Sequence, residues 1–393
     1  MAHVAGEYQV VDNVYDRVCD FDYLYESYLY SRRAKRYRWE ILRFSDKLEQ
    51  NLHKLQQDLI DGTYKIGSYK KFYVIEPKLR LIAALYFRDR IVQWSIYRIL
   101  NPFFDKMFIK DSYACRKEKG SFRAINRLQY WMRLLNAKSI DYYVLKLDIR
   151  KFFYRIDHEI LRQILRPRIK DERFYYLTCE MLKNSNGIKF GIPEGYRPET
   201  CPADLWLDTT GVPIGSLCSQ MFANIYLNEF DQFVKHELHA HYFARYMDDS
   251  MILGTKDQLK EFLPKIEKFL RQHLNLALNP LKTTLAPINK GIEFVGYRVF
   301  PYCKKLRKSS MKRMTGYIRH LIREYNADRV DVDELNRTLA AYNSIFTNCD
   351  SYDLKEKVYD LLKNGLKDNV DLVFPPKRTI KYQPIDYDNF VLN

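Results

Sequence analysis

The chain has 393 residues, a formal net charge of +16, 47% apolar residues and 29% charged residues spread along its length. This composition excludes a disordered chain and allows two or three subdomains around a sizeable core, and the positive charge points to a polyanionic partner, with nucleic acid ahead of an anionic membrane. Seven scattered cysteines without a CxxC pair, no HExxH and no apolar run of about 18 residues argue against a zinc site, a disulfide framework and a membrane span.

In chain order, the opening MAHVAGEYQVVDN lacks the basic-then-apolar pattern of a signal peptide, so a reducing, intracellular setting is expected. Residues 14–60 read as helices, with a basic run at 31–38 that suits a solvated face and a binding surface equally. Residues 72–82 read as a hairpin around a Pro-Lys turn, and 87–101 and 121–136 as helices. Tyr142-Tyr-Val-Leu-Lys-Leu-Asp-Ile149 alternates, with Leu145, Leu147 and Ile149 on one face and Val144, Lys146 and an outward Asp148 on the other. Residues 159–183 are expected to be helical, and the Gly- and Pro-containing stretch 184–213 to be an extended loop or hairpin. A long helix over 216–238 buries Phe222, Ile225, Phe230, Phe233 and Val234, and a strand carrying Tyr246-Met-Asp-Asp249 follows. The next helix, about 256–274, starts from a Thr255/Gln258 capping box, and Pro264 should kink or delay it. Strands over 292–307, basic helices over 309–365 and a loose tail from 366 complete an α+β order with helical parts at both ends.

Adjacent aspartates in a strand-like apolar run pose an electrostatic problem, because bare carboxylates there repel each other and resist desolvation. Taken alone, the Asp-Asp dipeptide fits an exposed β-turn and Asp148 an incidental strand-end charge. Brought to one sheet edge in a basic, phosphate-binding chain, Asp148, Asp248 and Asp249 suit two Mg²⁺ ions, which prefer hard oxygen ligands and serve in-line displacement at phosphorus. The 32 tyrosines and 23 phenylalanines are mainly core, and those among Lys and Arg suit base stacking.

The ordered context resembles a reverse transcriptase. Leu147-Asp-Ile-Arg-Lys-Phe-Phe153 and Tyr246-Met-Asp-Asp249 match the family's two aspartate motifs. Gly211-Val-Pro-Ile-Gly-Ser-Leu-Cys-Ser-Gln220 fits the loop-to-helix motif between them. Lys282 fits the following lysine motif, Phe294-Val-Gly-Tyr-Arg298 the primer-grip hairpin, and Pro77-Lys-Leu-Arg80 with Arg88-Asp-Arg90 the fingers. The likeness runs from about residue 60 to 345. Pro213-Ile-Gly215 stands where most retroviral and group II intron relatives have Pro-Gln-Gly, and the run Ile214 to Gln220 is similar to reverse transcriptases of diversity-generating retroelements. So are Asp111-Ser-Tyr-Ala-Cys-Arg116, Lys119-Gly120 and Phe222-Ala-Asn-Ile-Tyr-Leu-Asn228.

The resemblance implies a right-hand polymerase with an antiparallel palm sheet. Its parts would be an N-terminal helical extension (1–60), fingers (61–140), palm (141–305, with 159–210 partly fingers or insertion), thumb (306–365) and tail (366–393). It implies error-prone copying of a template-repeat RNA, mostly at template adenines, with dNTPs, an RNA/cDNA duplex and a small basic accessory protein as partners. No membrane partner is expected, and the expected setting is the cytoplasm of a bacterial or phage-bearing cell. An abortive-infection reverse transcriptase is the alternative, separated by neighbouring genes. The absence of a maturase or endonuclease pattern argues against a full group II intron protein. Asp148, Asp248, Asp249 and the Ile149 carbonyl would hold two Mg²⁺ ions, with Mn²⁺ able to substitute. Lys78 and Arg80 would hold the triphosphate, although in isolation the plainer reading is a charged hairpin tip. Gly215 would allow close backbone approach beside Ile214, and the free N–H groups of the Ser216 helix would face phosphates. Phe153 would gate the sugar, against plain core packing, and Lys282 would protonate pyrophosphate, against a solvated lysine. Arg88 and Arg116 would touch template or serve the fold, Gly296 and Tyr297 would touch primer, and the basic helices at 309–345 would grip the duplex.

Overall fold

In the computed structural model, which describes residues 10–75, 80–182, 189–368, 370 and 372, the chain divides into two units, one ending at Ile288 and the other starting at Asn289. The first unit opens with helices α1 (Tyr15–Cys19), α2 (Phe21–Ser31), α3 (Trp39–Asp46) and α4 (Leu48–Ile60), as residues 14–60 predict. Asp20 starts α2 by accepting the Tyr23 N–H, and Leu52, Leu55 and Leu59 recur at helical spacing on the buried face of α4. The antiparallel hairpin β1 (Tyr69–Val74) and β2 (Arg80–Leu85) follows; its tip, with Lys78, lies outside the described residues. Next come α5 (Phe87–Asp105), packed on α2, and α6 (Ser121–Asn136).

After β3 (Tyr142–Asp148) and the short α7 (Phe152–Arg155), the expected helix over 159–183 is instead two, α8 (His158–Leu165) and α9 (Glu172–Glu180). Pro167 cannot continue the hydrogen-bond ladder, and Asp171 restarts it by accepting the Phe174 N–H. α10 (Leu217–Gln232) ends in a π turn, Phe233–Glu237, and packs on α5 and α8. The Tyr-Met-Asp-Asp segment, expected as a strand with its aspartates at a strand turn, is a hairpin, β4 (Tyr242–Tyr246) and β5 (Asp249–Thr255), with residues 247 and 248 as its turn.

α11 (Lys256–Leu274) begins at Thr255, whose side chain accepts the Gln258 N–H, and ends at Asn275 in the left-handed region. Leu259, Phe262, Ile266, Leu270 and Leu274 form its buried stripe, each worth about 1.5–3 kcal/mol of burial. The helix runs unbroken through Pro264, because this apolar stripe offsets the single hydrogen bond that proline removes.

With β6 (Thr284–Pro287), the strands form an antiparallel sheet in the order β4-β5-β3-β6. β3 is interior and covered on both faces, so Val144, Leu145 and Leu147 are all buried. Asp148 is buried too, which corrects its expected outward placement. Outside β4, Ser112 pairs in parallel with Arg245.

The second unit holds a three-stranded antiparallel sheet, β7 (Ile292–Phe294), β8 (Tyr297–Val299) and β9 (Lys304–Leu306). It also holds α12 (Lys308–Asn326), α13 (Val332–Thr347) and α14 (Tyr352–Gly365). Met314, Ile318, Leu321 and Ile322 bury one face of α12, which packs on α13 and α14. The expected loose tail lies, from 373 onward, outside the described residues. Among the described residues no helix is long and apolar enough to cross a membrane.

Candidate active site

The antiparallel register sets Asp148, at the end of β3, directly opposite Asp249, at the start of β5. Directly opposed residues share a sheet face, so these carboxylates are neighbours. Asp248 lies in the tight β4–β5 turn, where Met247 has a φ of 57° and the Asp248 carbonyl accepts the Ile149 N–H at 3.3 Å. Burial raises the Asp248 carboxyl above the usual range and Asp148 adds to the rise, while Lys282 and Arg80 oppose it. Burial likewise pushes Asp249 up to about 7, against the pull of Lys146 and with a further push from Asp248 and Asp148.

Two ammonium groups meet these charges. Lys282 Nζ donates to Asp148 Oδ2 at 2.6 Å and to Oδ1 at 2.8 Å, and Lys146 Nζ lies 3.5 Å from Asp249 Oδ2. Asn279 adds its Nδ2 to Asp148 Oδ1 at 3.2 Å and its main-chain N–H to the Asp148 carbonyl at 2.8 Å. Among the described residues no three His, Cys, Asp or Glu side chains form a ready metal cage. The donor set nevertheless fits a divalent cation: the oxygens are hard, two carboxyls resist ionisation, and Asp249 Oδ1 is buried without a hydrogen-bond partner.

Other expected residues divide. Arg80 opens β2 and lies near enough to favour the Asp248 carboxylate. Phe153 is half-buried, edge-on to Phe152 at 5.7 Å, and its carbonyl accepts the Val212 N–H at 2.8 Å. The Ile214 carbonyl accepts the Ala83 N–H at 3.0 Å, tying the 211–216 segment to β2. Gly215 has a φ of 106°, and a Cβ there would stand 2.8 Å from Ile82 Cγ2, so its close approach is to the hairpin. At the start of α10 the Ser219 N–H is taken by Ser216 Oγ, which itself accepts from Gln93.

The two arginines expected at template both pair with carboxylates of the chain itself. Arg116 spends its five N–H donors on Asp105, on the Asp105 carbonyl and on the carbonyls of Ile109 and Ser112, so it serves the fold. Arg88 pairs with Asp58 at 2.6 Å and Asp89 at 3.1 Å over the Tyr64 ring. In the second unit, Val295 and Gly296 take φ of 47° and 86° at the β7–β8 turn, the pattern of a type I′ hairpin. Tyr297 is buried there.

Residues 69–299, more than half of the chain, match the family model described as reverse transcriptase (RNA-dependent DNA polymerase). The chain belongs to the reverse transcriptase family. It is thus an RNA-directed DNA polymerase with a palm-type fold of mixed helices and antiparallel sheets, in a family that uses divalent metals, a nucleic-acid template and dNTPs. It is 26% identical over 293 residues to Protein YkfC of Escherichia coli (strain K12), covering 64% of this chain and 72% of that protein. It is 25% identical over 302 residues to the Putative COX1/OXI3 intron 2 protein of Saccharomyces cerevisiae, covering 65% and 35%. It is also 25% identical over 189 residues to Group II intron-encoded protein LtrA of Lactococcus lactis subsp. cremoris, covering 47% and 28%. The chain therefore spans most of the first relative but only about a third of the other two.

Three residues of this reverse transcriptase escaped the sequence reading. Lys146 and Asn279 contact the carboxylates, and Arg245, one residue before the Tyr-Met-Asp-Asp motif, is wholly buried against Asp231. A signal existed for the last pair: a lone arginine in the apolar run Tyr242–Tyr246, and a lone aspartate beside Phe230 on the buried helix face.

Proposed function

We propose that this reverse transcriptase makes error-prone cDNA from a template-repeat RNA, as part of a diversity-generating retroelement. The catalytic part rests on the pairing of Asp148 with Asp249 beside the Asp248 turn. The retroelement part rests on the Ile214–Gln220 motif, whose isoleucine offers no hydrogen bond where the wider family has glutamine. Asp148, Asp248 and the Ile149 carbonyl would hold two Mg²⁺ ions, with Mn²⁺ as substitute and Asp249 as third carboxylate. When bound, such ions activate the primer 3′-hydroxyl and neutralise the leaving pyrophosphate.

The chain's own residues do the rest. Lys78 and Arg80 clamp the triphosphate, Phe153 excludes a 2′-hydroxyl, Ile214 and Gly215 support the nascent pair, and Lys282 supplies a proton to pyrophosphate. Segment 61–140 acts as fingers, 141–305 as palm and 306–365 as thumb, with 1–60 as an N-terminal extension. Gly296 shapes the primer-side hairpin. The partners are the RNA/cDNA duplex and a small basic accessory protein, in the cytoplasm of a bacterial or phage-bearing cell.

The test is sequencing of cDNA made by the purified protein, and by Ile214→Gln, on its neighbouring RNA. Errors should concentrate opposite template adenine, and the variant should reduce them about three- to tenfold, one hydrogen bond's worth of about 0.5–1.5 kcal/mol. Equal, low error rates opposite all four bases would overturn the retroelement reading. Asp248→Asn should abolish extension with RNA binding and melting unchanged.

A further inference from the structure

We infer that Arg245 is a positioning residue for nucleotidyl transfer, clamping the 247–248 turn to α10 and to the segment beside β4. Its guanidinium is wholly buried and each of its nitrogens is engaged. Nε donates to Asp231 Oδ1 and Nη2 to Asp231 Oδ2, both at 2.7 Å. Nη1 donates to Asn224 Oδ1 at 3.2 Å and to the Met247 carbonyl at 3.1 Å, and Nη2 reaches Ser112 Oγ at 3.3 Å. The main chain locks the same place: Arg245 N–H donates to the Asp111 carbonyl at 3.0 Å, and Tyr113 N–H donates to the Arg245 carbonyl at 2.9 Å.

A wholly buried guanidinium must place all its N–H donors, so the contacts to Asn224 and Ser112 fit a fold role as well. The arm to the Met247 carbonyl is different, because Met247 holds a φ of 57° in a two-residue turn. That conformation is uncommon for a side chain of this size and persists only where its surroundings impose it. Asp248 is the next residue, so the direction of its carboxylate depends on this carbonyl staying in place. A lysine has three donors on one nitrogen and cannot reproduce the planar fork that spans Asp231, Asn224 and Met247 together. The inference rests on Asp248 being a metal ligand, as proposed above.

The test uses the full chain, with primer extension on poly(rA)/oligo(dT), direct Mn²⁺ binding by electron paramagnetic resonance, and thermal melting. Two variants are needed. Arg245→Lys keeps the charge, and Arg245→Met combined with Asp231→Leu removes both buried charges so that neither is left unpaired. Both should still fold cooperatively, with Tm lowered by several degrees because buried acceptors such as the Met247 carbonyl lose their donor. Each should lose about tenfold in kcat, the upper end of one hydrogen bond's worth, with weaker Mn²⁺ binding and an unchanged KM for dTTP. Folded variants with wild-type kcat and metal affinity would overturn the assignment. Failure of both variants to fold would also overturn it, by making the network a general scaffold. Extension retained by Asp248→Asn would instead refute the metal assignment and leave the clamp to be judged by melting and kcat in the Arg245 variants.

Discussion

Replacing Lys282 by methionine separates two jobs that its position allows, counter-ion and proton donor. Its ammonium holds both Asp148 oxygens at 2.6 and 2.8 Å, yet 44% of the side chain is exposed, so the pair belongs with solvent-screened ones worth about 0.2–1 kcal/mol. Stability should therefore fall by no more than about 1 kcal/mol, or about 2–4 °C in Tm. Removing a cation that competes for Asp148 should tighten Mg²⁺ by the same energy, roughly 1.4- to 5-fold in half-saturating concentration. The chemical step should change far more, because a positioned general acid contributes about 10²–10⁴-fold. Rapid-quench primer extension across a Mg²⁺ titration at saturating dNTP, with melting curves alongside, measures all three quantities. A rate within about threefold of wild type would refute the acid role and leave Lys282 as a counter-ion, since general acids contribute far more than that.

Phe153→Ala should raise ribonucleotide incorporation relative to deoxyribonucleotide by roughly 10- to 200-fold, the range for relieving or losing a small steric contact; an unchanged ratio would return Phe153 to packing against Phe152. Gly211→Ala, at a φ of 85°, would put a Cβ 2.4 Å from the Phe190 carbonyl carbon and 2.5 Å from its oxygen. The left-handed backbone costs about 1–2 kcal/mol and the forced shift about 1–3 kcal/mol, so Tm should drop by several degrees and KM for dNTP should rise; an unaltered Tm would contradict this. His158 is buried with Nε2 2.6 Å from the Gly211 carbonyl, and desolvation lowers its pKa, helped by Arg162 and opposed by that hydrogen bond, Asp157 and Asp208. The folded state then binds fewer protons than the unfolded, so this contribution is complete above about pH 6.5 and is lost as pH falls through the lowered value. His158→Gln should therefore lose less stability than wild type between neutral pH and about pH 5, and a pH-independent Tm difference would count against the assignment.

What the sequence made legible was local. The stripe Leu259, Phe262, Ile266 and Leu270 repeats at helical spacing behind a Thr255 cap, so α11 is readable to its ends, and it starts without the delay that Pro264 suggests. The break between α8 and α9 was hidden because Ile164, Leu165 and Ile169 continue an apolar period across Pro167. Asp148 was misplaced because alternation reports one covered face, whereas an interior strand such as β3 is covered on both. Arg116 and Arg245 show the remaining limit. Whether an arginine meets a phosphate or a carboxylate depends on partners such as Asp105 and Asp231, which only the folded chain brings near.

The flanks of the β4-β5-β3-β6 sheet carry a consequence for handling the protein. A bare outer strand is a template on which a second chain can add, and so a starting point for aggregation. Here Ser112 covers β4 at Arg245, while β6 is only four residues long and ends in Pro287, which has no N–H to offer. Neither flank therefore presents a long run of open donors and acceptors. Substitutions that silence the carboxylates act at one end of the sheet and leave both flanks as they were. Inactive forms should accordingly stay dispersed at the concentrations that binding and resonance measurements need, so that lost activity can be traced to chemistry rather than to lost protein.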